Sequence, residues 1–310
     1  MRKIGMEEPR KRKSILETAA SFWEADRQEA FRTVYKAMRV IDDIVDDRKK
    51  EGSPIGEEER TRLQGKIESL LESGEPRASE IPMALTSVRE RFGLPSRCFE
   101  LWMRSMLYDL RCDGFDCWKR FREYAEGAAV SPGAIFLHLC AVKPRGEGFE
   151  GPNFDIFAKA RDLALFSYIV HILRDFRVDV RENLYFLDEH LLQKYGLDRQ
   201  ALQRIAQGGE YGAAFAEVLR KCVARGEGLR KRARATIDGL AANLEPRYRF
   251  SLEVVYDSYL AMFERIDVEN PDLDRLATSA QEAAERLSTL YFRFWGRAAE
   301  RALIGEALFR

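Results

Sequence analysis

The sequence predicts an all-α protein. Long stretches carry apolar residues at helical spacing, glycine and proline collect between those stretches, and no alternating pattern long enough for a useful strand occurs. Of the 310 residues, 45% are hydrophobic and 33% charged, enough for a sizeable core under a solvated surface. No repeat, low-complexity linker or shift of composition divides the chain. A single helical domain is therefore expected over 14–310, after a basic, polar tail at 1–13.

The first helical stretch runs from Ser14 to Lys49, with a break expected near Asp26, and ends at the loop holding Gly52, Ser53, Pro54 and Gly56. Further helices are expected at 57–73, 79–91, 96–110, 116–143, 153–180, 209–243, 247–267 and 273–308. Gly74-Glu75-Pro76, Gly93-Leu94-Pro95, Gly146 to Pro152, Gly208-Gly209 and Asn270-Pro271 punctuate them.

Charge and cysteine usage exclude several functions. The 51 basic and 51 acidic side chains give no net charge, whereas a nucleic-acid binder steered by its field carries a basic excess. The five cysteines are scattered, with no CxxC pair, which points to reduced thiols in the cytoplasm. The start, Met1 to Ser14, lacks the apolar stretch of a signal peptide. No run of about 18 apolar residues, the length needed to cross a bilayer, is present.

Two acidic clusters carry chemistry. In Asp42-Asp43-Ile44-Val45-Asp46-Asp47, a rotation of about 100° per residue puts Asp42 and Asp46 on one helix face, with Asp43 and Asp47 beside them. Like charges at that spacing destabilise a helix. They stand among Val34, Tyr35, Met38, Val40 and Ile41, which is not the composition of a solvated face. A charged helix end before the Gly52 loop is the plain alternative. In the second cluster, His171, Asp175 and Asp179 follow one another at i, i+4 after the apolar run Leu163 to Val170. Two helices that each present carboxylates one turn apart can face each other across a bundle core. Hard oxygen donors of this kind suit Mg²⁺, with Mn²⁺ a second candidate, and Mg²⁺ completes its shell with water and substrate phosphate. Lys36 and Arg39 precede the first cluster, and Arg174 and Arg177 lie in the second; cations beside carboxylates are what a diphosphate requires.

These residues, taken in order, resemble the squalene/phytoene synthase family. The resemblance is carried by Ser21-Phe22, Tyr35, Arg39 with Asp42-Asp43-x-x-Asp46, and Met106-x-x-Asp109-Leu110. It continues through Tyr124-x-x-x-Ala128-Ala129-x-x-x-Gly133, Ile172-Leu173-Arg174-Asp175-x-x-x-Asp179 and Tyr259, and covers roughly residues 14 to 268. It implies an isoprenoid-synthase helical bundle with a central cavity. There two prenyl diphosphates, usually farnesyl or geranylgeranyl, are joined head to head through a cyclopropylcarbinyl diphosphate. It further implies Mg²⁺ held by Asp42, Asp46, Asp175 and Asp179; Asp43 and His171, from the same clusters, are further candidate metal ligands, and Arg39, Arg174 and Lys36 candidate diphosphate contacts. Tyr35 joins the four cavity aspartates as a catalytic candidate, and Phe22, Tyr124, Ala128, Tyr168 and Tyr259 become pocket walls. Ordinary core packing is the competing reading for Phe22 and the tyrosines.

The chain departs from the family pattern at several positions. His171 stands where the family has asparagine, Tyr168 replaces a glutamine and Val178 a glutamate. Asn183 to Asp188 replaces a Gly-Arg-x-Tyr-Leu-Pro stretch, and Gly114-Phe115 an Arg-Tyr pair. Histidine offers nitrogen, which suits Mn²⁺, Fe²⁺ or Zn²⁺ better than Mg²⁺. Three readings follow: a divergent head-to-head synthase; the same site used for another prenyl diphosphate reaction, such as arrest at the cyclopropyl intermediate, cyclisation or prenylation of another acceptor; and a non-catalytic relative. Retention of Asp42, Asp43, Asp46, Asp175 and Asp179 argues against the last, since inward carboxylates are costly without a cation.

Lesser signals remain. Leu287, Leu290, Tyr291, Phe294, Trp295, Ala298, Leu303, Ile304 and Leu308, with interspersed arginines, read as an amphipathic last helix. Packing on the core is the favoured reading, with peripheral membrane contact the other. His138 reads as a core histidine and Asp109 as a cavity residue. The absence of GxGxxG does not decide NADPH use, since relatives that use it need not carry that signature.

Overall fold

The computed structural model describes residues 14–71 and 80–296. The basic tail at 1–13, the expected turn Gly74-Glu75-Pro76 and the end of the last expected helix, with Ala298, Leu303, Ile304 and Leu308, lie outside the described residues. The architecture is an α-helical bundle around a central cavity.

Helix α1 (Ile15–Ala20) starts at a capping box: the Ser14 hydroxyl accepts from the Glu17 amide, and the Glu17 carboxylate accepts from the Ser14 amide. The chain then turns at 21–24, slightly before the expected break. Trp23 Nε1 donates to Ser251 Oγ at 2.8 Å, and Ser251 Oγ donates to the Ala19 carbonyl at 2.9 Å, tying the start of the chain to a helix more than 200 residues on. Helix α2 (Ala25–Lys50) buries Ala30, Phe31, Val34, Ala37, Met38, Ile41 and Val45, a stripe at three- and four-residue spacing. Its last turn carries Arg48, Lys49 and Lys50, where the helix dipole favours cations.

Helices α3 (Glu57–Leu71), α4 (Glu80–Phe92) and α5 (Ser96–Asp109) follow. The stretch 116–143, expected as one helix, is divided into α6 (Trp118–Ala125), a π-helical turn at Glu126–Val130 and α7 (Ser131–Ala141). A short antiparallel hairpin, β1 (Lys143–Arg145) with β2 (Gly148–Glu150), occupies part of the expected Gly146 to Pro152 turn.

Helix α8 (Ile156–Arg174) is capped by Asp155, whose carboxylate accepts from the amides of Phe157 and Ala158. It packs on α7 and on two later helices, α12 (Gly212–Gly239) and α13 (Pro246–Phe263). The expected helix 153–180 bends at Asp175 (φ −95°, ψ 3°) and continues as α9 (Phe176–Arg181). The Asp179 amide still donates to the Asp175 carbonyl, so one-turn spacing survives the bend. Two helices not expected from the sequence, α10 (Glu189–Lys194) and α11 (Arg199–Ala206), occupy 189–206, capped by Asp188 and Asp198. Helix α14 (Ala280–Trp295) buries Leu290 and Tyr291 and sets Phe294 and Trp295 against Phe250 of α13. Its described part therefore packs on the core. Among the described residues no helix is long and apolar enough to cross a membrane.

Candidate active site

A cavity of about 490 Å³ lies between α2, α5, the π turn, α7, α8, α12 and α13. Asp42 and Asp46 of α2 line it together with Asp175 and Asp179. The charged lining is half-buried: the side chains of Asp42 and Asp175 are 35% and 30% accessible. Trp102, Met106, Phe136 and Leu137, by contrast, are buried. The cavity thus has an acidic mouth and a buried apolar floor, which suits a molecule with an anionic head and a hydrocarbon tail.

The π turn shapes one wall. Ser105 Oγ donates to the Tyr124 carbonyl at 2.7 Å, and the Ser131 amide reaches back five residues to the Glu126 carbonyl. The extra residue in this turn coincides with Ala128 and Ala129 in the cavity wall. Gly127 permits it: a Cβ there would collide with the Leu101 carbonyl oxygen and the Ser105 hydroxyl.

The two clusters sense each other. Burial, then the charge of Asp46, pushes Asp42 up to about 7. Burial and Asp109 push Asp46 up to about 6. Burial, Asp175 and Asp46 push Asp179 up to about 8, so carboxylates from α2 and α9 repel across the cavity. Asp175 goes the other way: burial opposes ionisation, but hydrogen bonds from Arg174 and His171 outweigh it and hold the carboxyl far below its usual range. Arg174 Nε lies 2.7 Å from Asp175 Oδ1, and His171 Nε2 lies 3.0 Å from Asp175 Oδ2. Arg39 reaches Asp42 and Asp43, each at 3.2 Å.

Of the residues singled out in the sequence, Tyr35, Arg39, Asp42, Asp46, Tyr124, Ala128, Tyr168, His171, Arg174, Asp175, Asp179 and Tyr259 line this cavity. Three do not. Lys36 is exposed on the outer side of α2. Asp43 sits beside the cavity, held by Arg39. Phe22 packs edge-on against Phe250 with ring centres 4.9 Å apart, which is core packing. Asp109 stands behind the wall, where Lys49 Nζ approaches one carboxylate oxygen at 3.1 Å and the Tyr124 hydroxyl donates to the other at 2.7 Å. His138 is a core histidine, its Nε2 2.8 Å from the Phe92 carbonyl.

Sequence reasoning missed Lys50 and Lys159, two more cations of the lining. Lys50 was legible, because it lies one turn after Asp46. It reaches Asp47 at 3.3 Å and Glu182 at 3.4 Å. Asn183, in the left-handed region at φ 63°, donates its amide to the Lys50 carbonyl at 3.2 Å, so the loop after α9 is fastened to the end of α2.

The donor set fits a hard divalent cation. Asp42, Asp46, Asp175 and Asp179 offer oxygens, and burial and mutual repulsion raise the pKa of Asp42, Asp46 and Asp179, so a positive charge among them would favour their ionised forms. Among the described residues no group of three or more His, Cys, Asp or Glu side chains is placed to hold a metal ion by itself. Mg²⁺ needs none, because it keeps waters and binds substrate phosphate.

A sequence model described as squalene/phytoene synthase matches residues 12–282. A phytoene synthase of Cereibacter sphaeroides is 25% identical over 169 residues, 53% of this chain and 45% of that protein, so the alignment spans less than half of that relative. The squalene synthase HpnC of Alicyclobacillus acidocaldarius superimposes with a TM-score of 0.63 at 16% identity, covering 83% of this chain and 89% of that one. A dehydrosqualene synthase solved with a ligand gives 0.65 at 18% identity, covering 90% of each chain. YisP of Bacillus subtilis gives 0.58 at 14%, covering 88% and 89%. At these identities the superpositions establish a shared fold.

Proposed function

Since the chain belongs to the squalene/phytoene synthase family, a family of prenyltransferases, we propose that it condenses two prenyl diphosphates head to head and releases diphosphate. The observation that carries this reading is the pairing of Asp42 and Asp46 with Asp175 and Asp179 around one cavity whose floor is apolar. Asp42, Asp46, Asp175 and Asp179 would hold Mg²⁺, which supplies charge neutralisation on the departing diphosphate. Arg39, Arg174 and Lys50 take the oxygens that remain. The buried floor excludes water from the allylic cation. The rings of Tyr35, Tyr124, Tyr168 and Tyr259 stand in the wall, where aromatic faces stabilise positive charge. The double bond of the second chain attacks that cation, and loss of a proton gives the cyclopropylcarbinyl diphosphate.

One observation favours arrest at that intermediate as the second reading. Val178, where the family has glutamate, is 49% exposed, and Phe115, in place of the family's Arg-Tyr pair, is buried against Tyr108 and Tyr124. Both changes remove polar groups from the second half-reaction.

The test is incubation with farnesyl or geranylgeranyl diphosphate, with Mg²⁺ or Mn²⁺ and with or without NADPH. Mass spectrometry is run before and after phosphatase treatment, with an Asp42→Ala/Asp175→Ala double variant as control. A squalene- or phytoene-type hydrocarbon lost in the variant supports condensation. A product seen only after phosphatase treatment supports arrest at the cyclopropyl stage. A single-chain terpene or a prenylated acceptor sinks the head-to-head reading. Delivery of a hydrocarbon product to a membrane surface met by the C-terminal helix is part of the same proposal.

A further inference from the structure

Helix α13 borders two cavities. Leu252, Val255 and Tyr259 line the central one, whereas Val254, Ser258, Ala261 and Met262 line a second cavity of about 370 Å³ between α13, α1 and α14. Ser14, Ile15 and Arg174 belong to the walls of both, so the start of α1 and the end of α8 form a common partition. From α14 the second cavity receives Ala283, Leu287 and Leu290.

Its charges identify what it takes. The two cations of its lining are already matched. Arg174 grips Asp175, with Nε 2.7 Å from Oδ1, and Arg286 straddles Asp257 at 3.1 and 3.2 Å. Among the described lining residues Asp257 is the one carboxylate, so this chamber lacks the facing aspartates with which the central cavity would hold a metal and a diphosphate. Here the matched pairs leave an aliphatic surface as the main recognition element. The chemistry that fits is a neutral hydrocarbon chain.

We infer that the chamber under α14 receives the hydrocarbon end of the coupled product as it leaves the central cavity past Ile15 and Arg174. This rests on the condensation proposed above. A product without diphosphate has lost its hold on the acidic mouth, and it is longer than either substrate. The second chamber offers apolar surface on the far side of the partition formed by Ser14, Ile15 and Arg174, and it lies beneath the last described helix.

Photolabelling tests the inference without relying on turnover. The full chain is irradiated with a neutral long-chain isoprenoid hydrocarbon bearing a diazirine, with and without saturating farnesyl diphosphate, and the adducts are mapped by peptide mass spectrometry. Adducts are expected on 283–290 and, at residue level, on Val254, Ser258, Ala261 and Met262 rather than Val255 and Tyr259, persisting when farnesyl diphosphate fills the central cavity. Ala283→Trp and Thr278→Trp, which fill the chamber from a helix and from a loop, should each lose them. Labelling confined to central-cavity peptides, or labelling under α14 unchanged in both folded variants, overturns the inference. A wild-type protein that labels under α14 yet makes no coupled product sinks the condensation and leaves the hydrocarbon chamber standing. Coupled product without label under α14 does the reverse.

Discussion

Lys49 is a cation buried against a buried carboxylate. Its side chain is 6% exposed and that of Asp109 7%, and each is the other's counter-ion. Burial still pushes the Asp109 carboxyl above its ordinary range, with Lys49 and the Tyr124 hydroxyl pulling it back. Lys49→Met therefore leaves a buried carboxylate held by one phenol. Breaking a buried pair from one side costs about 3–5 kcal/mol. Urea unfolding should place this variant toward the lower end, because Asp109 can take up a proton instead. Asp109→Asn added to Lys49→Met should recover much of the loss, since the uncompensated charge is gone. Equal destabilisation of the single and double variants would show that Lys49 acts through packing alone. Tyr124 lines the cavity and Lys49 does not, so this pair reaches the site by fixing where the phenol points.

At the scale of elements, the π turn is the least replaceable piece of backbone. Gly127→Ala would drive a methyl group into the Leu101 carbonyl, which α5 cannot move without losing its own ladder. Overpacking of this sort costs about 3 kcal/mol. Calorimetry should register it as a fall in Tm, whereas Gly239→Ala, with open space around it, should be neutral or stabilising. Helix α7 is also fixed to the end of α4 through His138, whose Nε2–H donates to the Phe92 carbonyl. Burial depresses the His138 pKa below its ordinary 6.5, against the pull of that bond. The unfolded chain then binds the extra proton first. The contribution is fully present above 6.5 and is lost as pH falls through the depressed value. Urea midpoints compared at about pH 7.5 and pH 5.5 should drop more for the wild type than for His138→Gln; parallel drops would exclude His138 as the cause. The long periodic helices were legible because one stripe of each meets the core. The π turn was not, because its cause is a serine on α5 and a carbonyl nineteen residues later. Helices α10 and α11 escaped because six and eight residues hold too few periods to stand out, although Asp188 and Asp198 marked their starts.

The whole molecule gathers on one cavity what no single element holds. The sequence offered two acidic clusters, and their facing was an expectation; the bundle places both on the same wall system, where the charge of Asp46 reaches Asp179. Lys50, Glu182 and Asn183 could not be read as a clasp, because the partners lie 132 and 133 residues apart and meet only when α2 and α9 end side by side. Such crowding of carboxylates works against the fold and is offset by any cation that binds the native state and not the unfolded chain. Mg²⁺ or Mn²⁺ with inorganic pyrophosphate should therefore raise Tm. At a hundredfold excess over Kd the gain is about 2.7 kcal/mol, roughly 4 °C for a chain of this size. Asp46→Asn/Asp179→Asn should begin more stable than the wild type without metal, since repulsion is relieved, and should gain little when metal is added. His171→Asn separates two roles for the imidazole. As a ligand, its nitrogen favours Mn²⁺ over Mg²⁺, and the amide should shift preference back toward Mg²⁺. As a partner of Asp175, it should change the stability of the metal-free protein and leave the order of the two metals alone. A Tm indifferent to both metals in the wild type would remove the cation from the site, and with it the explanation for carboxylates held this close.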